Sequence, residues 1–131
     1  MTRIYVDLSA TVVDGDAGAL DEDAVRALRY LVELGHAITL VGDDPAGTRS
    51  ELRQLGSIAA VVPSRPEGPA WYVTTDIDHC HGLSARIRTV LVGAAPAPGS
   101  VRRCDTVARD LQAAVMEILA AEVMQPPART L

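Results

Sequence analysis

At 131 residues the chain is long enough for one compact domain with a sizeable core. Its formal net charge is −5, all 12 basic residues are arginine and none of them form a basic run, which excludes a nucleic-acid surface because phosphate neutralisation needs clustered cations. The 48% apolar share is that of a globular protein, no apolar stretch is long enough for a bilayer, and the two cysteines, Cys80 and Cys104, lack framework spacing, so the expectation is a cytoplasmic protein without a leader, membrane segment or disulfide scaffold.

Arg3 to Val13 reads as a first strand that leaves through a turn at Asp14-Gly15-Asp16, where Gly and Asp tolerate the backbone angles needed. A helix then starts at Asp21 as N-cap, with Glu22 and Asp23 favourable at the positive end of its dipole. Val25, Leu28, Leu31 and Val32 form its apolar stripe, and Gly35 ends it. His36 to Val41 is a second strand, closed by Gly42-Asp43-Asp44-Pro45, and Gly47 to Leu55 a second helix. Ile58 to Val62 is a third strand, followed by a Pro- and Gly-rich loop from Pro63 to Pro69. A fourth strand spans Ala70 to Thr74, a short helix lies around Asp78 to Ala85, and a fifth strand spans Thr89 to Gly93. The last helix runs from about Thr106 to Val123, burying Val107, Leu111, Ala114, Val115, Ile118 and Leu119. Residues 1–124 are read as a single domain and 125–131 as a flexible C-terminal tail.

Five nearly continuous apolar strands separated by helices predict a three-layer, Rossmann-like α/β fold with a mainly parallel five-stranded sheet and helices on both faces. In such a sheet the carboxyl ends of the strands share one edge, where open α/β proteins bind ligands. Asp7, Asp43 or Asp44, and Asp76 with Asp78 therefore converge on an acidic crevice. Carboxylates with waters and phosphate oxygens suit Mg²⁺, a hard cation. Asp43 and Asp44 are read first as turn residues.

The run Asp76-Ile77-Asp78-His79-Cys80-His81 offers soft and borderline ligands, but adjacent helical residues diverge by about 100° and cannot grip one ion together. Cys80 is accordingly read as a small inward-packed residue with the histidines on the surface, and Cys104 as structural. Trp71 and Tyr72 are read as core residues on opposite faces of the fourth strand. Tyr30, Met116 and Val123 are candidate exposed apolar positions, leaving monomer and homodimer both open.

Ile4-Tyr5-Val6-Asp7-Leu8-Ser9-Ala10-Thr11-Val12 resembles the first motif of the haloacid dehalogenase-like (HAD) hydrolase superfamily, an apolar strand followed by Asp-x-Asp-x-Thr/Val. Residues from Ala27 to Val41 resemble its helix and second strand, Arg65-Pro66 falls where the family often has Lys-Pro, and Trp71 to Asp76 falls where it has an apolar strand ending in Gly-Asp. The segment from Cys104 to Leu111 resembles the one that introduces the final helix. The likeness runs from Arg3 to about Leu119 and is to small members without a cap domain.

The resemblance implies Asp7 as a nucleophile toward phosphorus, with Asp7, Asp76 and Asp78 holding Mg²⁺, and Gly42 and Asp43 beside the phosphoryl group. It also exposes departures. Ser9 stands in the acid/base position, Gly42 replaces the hydroxyl that ends the second strand, Arg65 is the candidate for the lysine, and Cys80 and His81 stand where a further acid is expected. Arg can supply charge and a bidentate grip, yet its geometry is not that of an ammonium. The expectation is a slow or lapsed phosphatase that binds a phosphorylated ligand or a protein partner, the alternative being an active Mg²⁺-dependent phosphomonoester hydrolase. A receiver domain of two-component signalling is the rival of another class, but it needs an Asp at the end of the third strand, where Pro63-Ser64 stand.

Overall fold

The structure, a computed structural model, describes residues 3–13, 16–42, 55, 57–59, 69–83, 85–93 and 104–124. In chain order these form strand β1 (Arg3–Asp7), a 3-10 turn (Leu8–Thr11), β2 (Val12–Val13), β3 (Asp16–Leu20), helix α1 (Glu22–Glu33), β4 (Ala37–Val41) and β5 (Ser57–Ala59). Then follow β6 (Ala70–Thr74), a second 3-10 turn (Ile77–Cys80), β7 (Ile87–Val92), β8 (Thr106–Ala108) and helix α2 (Leu111–Met124). Asp43, Asp44, Arg65, the helix expected over 47–55 apart from Leu55, the loop over 63–68 and the tail 125–131 lie outside the described residues.

Among the described residues the main sheet has six strands in the order β5-β4-β1-β6-β7-β8, and every neighbouring pair is parallel. The fold is the expected Rossmann-like α/β one. The central strands β1 and β6 are buried along nearly their whole length because both faces are covered. Period two sorts their side chains: Ile4, Val6, Trp71 and Val73 face one way, into a core completed by Leu28 and Leu31 of α1 and Ala114, Val115 and Ile118 of α2. Tyr5, Tyr72, Val41 and Ile87 pack on the other face. Leu28, Leu31 and Ile118 are fully buried, each contributing about 1.5–3 kcal/mol by removal from water.

Helix α1 begins and ends as its sequence dictates. The Asp21 carboxylate accepts from the Asp23 backbone N–H at 3.0 Å. At the other end the Leu34 N–H reaches Tyr30 O at 3.1 Å, the Gly35 N–H reaches Val32 O at 3.0 Å, and Gly35 takes φ +90°, a left-handed angle open to glycine.

Four expectations need correction. The first strand stops at Asp7, not Val13: Leu8–Thr11 coil into a 3-10 turn, locked by the Thr11 hydroxyl donating to Leu8 O at 2.7 Å, and Val12–Val13 instead pair antiparallel with β3. The last helix begins at Leu111, because Thr106–Ala108 add a sixth strand beside β7, leaving Val107 exposed. The short helix after Asp76 is only the four-residue turn Ile77–Cys80, capped by the Asp76 carboxylate accepting from the Asp78 N–H at 2.9 Å. Finally, Cys80 is not a packed thiol: it is disulfide-bonded to Cys104, with a Cα–Cα separation of 5.5 Å. Among the described residues no helix is long and apolar enough to cross a membrane. Trp71 is buried as expected, its indole N–H donating to Glu122 at 2.9 Å while Arg88 stacks 4.3 Å over its ring. Tyr30 and Met116 are exposed, as is Val123.

Candidate active site

The sheet order reverses at β1: β4 and β5 lie to one side and β6, β7 and β8 to the other. The crevice of an open α/β sheet forms at such a point, beyond the carboxyl ends of the strands. Asp7 is the last residue of β1 and is only 7% exposed. It shares its face with Tyr72 and Thr74 of β6 because β1 and β6 pair with Tyr5 opposite Tyr72 and Val6 opposite Val73.

The Asp7 Oδ2 atom accepts from His79 Nδ1 at 2.8 Å and from the Thr74 hydroxyl at 3.0 Å, and the Tyr72 hydroxyl makes a longer contact at 3.5 Å. The Thr74 hydroxyl in turn accepts from the Asp76 backbone N–H at 3.1 Å, tying the start of the second turn to the same carboxylate. The other ring nitrogen of His79, Nε2, lies 3.6 Å from Asp76 Oδ2. One imidazole therefore stands between the two acids that the sequence places at two strand ends. Burial first, and then the negative charge of Asp7, push the Tyr72 phenol well above its ordinary range, so it remains neutral.

The other carboxylate oxygen of Asp7 has no donor among the described residues and faces Gly42. Gly42 has φ +123°, an angle side chains rarely adopt, and it is this angle that calls for glycine, since a Cβ built there would stand at an ordinary contact distance of 3.5 Å from Oδ1. Ser9, on the first 3-10 turn, is exposed and hydrogen-bonded to the Thr75 hydroxyl rather than to Asp7. Ser9 and Thr75 line a cavity of about 560 Å³ whose wall also includes Asp21, Gly93, Arg109 and Asp110. Asp78 is exposed and caps against Asp76 through its backbone.

The structure thus gathers Asp7 and Asp76 around His79 and sets Gly42 beside Asp7, with Ser9 at a neighbouring cavity. Sequence reasoning missed Thr74, Tyr72 and His79 as members of the site. Strand parity was the available signal for the first two, since Tyr72 and Thr74 alternate onto the face of Asp7. His79 has a weaker one: it lies three residues after Asp76, the spacing that brings side chains together over a single turn.

The Mg²⁺ implied by the resemblance meets a poor donor set here. Among the described residues no group of three or more His, Cys, Asp or Glu side chains is arranged to hold an ion. A carboxylate oxygen has two lone pairs in its plane, and both of those on Asp7 Oδ2 are matched by short donors, His79 and Thr74. Mg²⁺ needs anionic oxygens at about 2.0–2.1 Å in near-ideal octahedral geometry. As arranged, the described residues do not fit an ion held between Asp7 Oδ2 and Asp76.

No family model and no curated protein matches the sequence. Solved structures do match the fold. The D,D-heptose 1,7-bisphosphate phosphatase of Burkholderia thailandensis superposes with a TM-score of 0.67 at 13% identity, over 92% of this chain and 99% of that one. The corresponding phosphatase of B. bronchiseptica, complexed with magnesium and phosphate, gives 0.64 at 14% identity over 92% and 99%. A haloacid dehalogenase-like hydrolase from Burkholderia xenovorans gives 0.54 at 16% identity, over 82% of this chain and 63% of that one.

Proposed function

Starting from the haloacid dehalogenase-like fold that this chain has, we propose that it is a hydrolase-fold protein whose phosphatase chemistry has lapsed or slowed and whose crevice serves as a binding module for a phosphorylated ligand or a protein partner. The observation that carries this reading is the engagement of Asp7 Oδ2 by His79 and Thr74. A nucleophilic carboxylate must approach an anionic phosphoryl group, and cations and fixed donors have to offset the repulsion. Here the donors point at the nucleophile itself. Ser9 adds to the deficit, because a hydroxyl does not protonate a leaving group near neutral pH as a carboxylic acid does. Each missing oxyanion-type donor lowers turnover by about 10²–10³-fold.

The alternative, an Mg²⁺-dependent phosphomonoester hydrolase with Asp7 as nucleophile, is favoured by Asp7 Oδ1, which meets no donor among the described residues, and by the magnesium and phosphate bound to one fold neighbour. A single experiment separates the two. Phosphate release is measured over a panel of monoesters with and without Mg²⁺, for the wild type and Asp7→Asn, alongside thermal shifts with phosphate and vanadate. The binding module gives no Mg²⁺-dependent release above Asp7→Asn but is stabilised by the anions, as any ligand specific to the folded state must do. Mg²⁺-dependent release lost in Asp7→Asn refutes it in favour of the hydrolase. Absence of both signals moves the binding role from a phosphorylated ligand to a protein partner.

A further inference from the structure

The space between two strand-end carboxylates is where a cation would neutralise them, and in this chain an imidazole fills it. His79 presents Nδ1 to Asp7 at 2.8 Å and Nε2 toward Asp76 at 3.6 Å, so its ring spans the gap between the acids. The seat is built by the backbone. The His79 N–H donates to Asp76 O at 3.0 Å, the Asp78 N–H donates to Asp76 Oδ1 at 2.9 Å, and the His81 N–H donates to Asp78 O at 3.2 Å. Tight local bonds of this kind hold the turn in one shape.

A second restraint acts on the very next residue. Cys80 is bonded to Cys104, and the residue after Cys104 is fixed to the sheet: the Asp105 N–H donates to the Thr89 hydroxyl at 2.8 Å, and its carboxylate accepts from the Thr89 N–H at 2.8 Å. The disulfide therefore ties the His79 turn to an anchored point beside β7. Moving the backbone of the His79 turn away from Asp7 means moving a residue whose neighbour is covalently held.

We propose that His79 is a protein-borne occupant of the cation's place between Asp7 and Asp76, kept there by the Cys80–Cys104 bridge, so that a divalent metal bridging the two acids and His79 compete for the same space. This inference rests on the reading of the crevice as a lapsed HAD-type site and adds its control. The ring stands between Asp7 Oδ2 and Asp76 Oδ2, so a cation bridging those two acids displaces it. Release of the tether is a two-electron step. A dithiol reductant transfers two electrons and two protons to the bridge, the S–S bond breaks, Cys80 and Cys104 become thiols, and the reductant becomes a disulfide. A bridge that closes in oxidising surroundings and opens in reducing ones thereby sets how firmly His79 is seated.

The test is Mn²⁺ binding followed by electron paramagnetic resonance on the whole chain. The samples are the oxidised wild type, the wild type reduced with a dithiol, His79→Ala, and His79→Ala combined with Asp7→Asn. His79→Ala is expected to bind Mn²⁺ at least about tenfold more tightly than the oxidised wild type, a difference of about 1.4 kcal/mol. The reduced wild type falls between them, and the double variant loses the gain. His79→Ser gives the same comparison if the alanine variant does not fold. Equal Mn²⁺ affinity in the oxidised wild type and His79→Ala overturns the seat, equal affinity in oxidised and reduced wild type overturns the tether, and a gain that survives Asp7→Asn overturns the location. None of these outcomes touches the phosphate and vanadate shifts or the turnover assay, so failure here is distinguishable from failure of the functional reading.

Discussion

Thr74 carries more of the site than its size suggests, and replacing it with valine measures how much. The side chain is fully buried, and valine keeps its volume while removing the hydroxyl. Two bonds are lost. The hydroxyl no longer donates to Asp7 Oδ2 at 3.0 Å, a charge-assisted bond of about 1.5–3 kcal/mol, and the Asp76 N–H loses its acceptor at 3.1 Å, leaving a part-buried donor that costs about 1–3 kcal/mol. Burying a methyl in place of the hydroxyl returns about 0.8 kcal/mol. The net expectation is a destabilisation of about 2–5 kcal/mol, read by urea unfolding at neutral pH. For a chain of this size that corresponds to a fall in Tm of about 3–4 °C per kcal/mol. A cycle with Asp7→Asn isolates the charge-assisted part: in the Asp7→Asn background, the Thr74→Val change should cost about 1 kcal/mol less. A measured change below about 0.5 kcal/mol, or additive behaviour in the cycle, refutes the bonding scheme around Asp7.

Three further outcomes follow from the same structure. Lysine is absent and the chain has 3 tyrosines, so alkaline titration reports mainly phenols; the raised Tyr72 contributes stability that is fully present below pH about 10, where the unfolded phenol begins to ionise, and is lost as pH rises through the folded value. Urea unfolding between pH 9 and 12 should therefore show falling stability that is flattened in Tyr72→Phe, and equal slopes in the two proteins would contradict it. Breaking the Cys80–Cys104 bridge, which spans 24 positions, should lower stability by about 3–4 kcal/mol by restoring freedom to the unfolded chain, measured on the Cys80→Ser, Cys104→Ser pair. Gly42→Ala forces a side chain into φ +123° beside Asp7 Oδ1, with an expected loss of about 1–3 kcal/mol in urea unfolding, and a neutral result would mean the turn relaxes freely.

Patterns that repeat along the chain were legible without coordinates. The alternation and apolar runs marked β1, β4, β6 and β7, and Asp21 with Gly35 marked the ends of α1, because strand parity, N-caps and left-handed glycines are decided by a few neighbouring residues. Asp7 was placed at the site by the same means, since a carboxylate closing a central parallel strand arrives at the ligand edge whatever its neighbours are. Short segments were harder: Leu8–Thr11 and Thr106–Ala108 are too brief for periodicity to separate a turn, a strand and a helix start, and packing against the sheet decided them.

What only the tertiary structure decided is the company Asp7 keeps. Thr74 and His79 lie 67 and 72 positions away from it, and the bridge joins residues 24 apart. Which strand lies beside β1, and how the turn after β6 folds back across its end, depend on the order and register of the sheet, a cooperative property of the whole core rather than of any local stretch. The sequence alone determined that an acid would stand at the rim; sheet order determined that an imidazole and a hydroxyl would hold it.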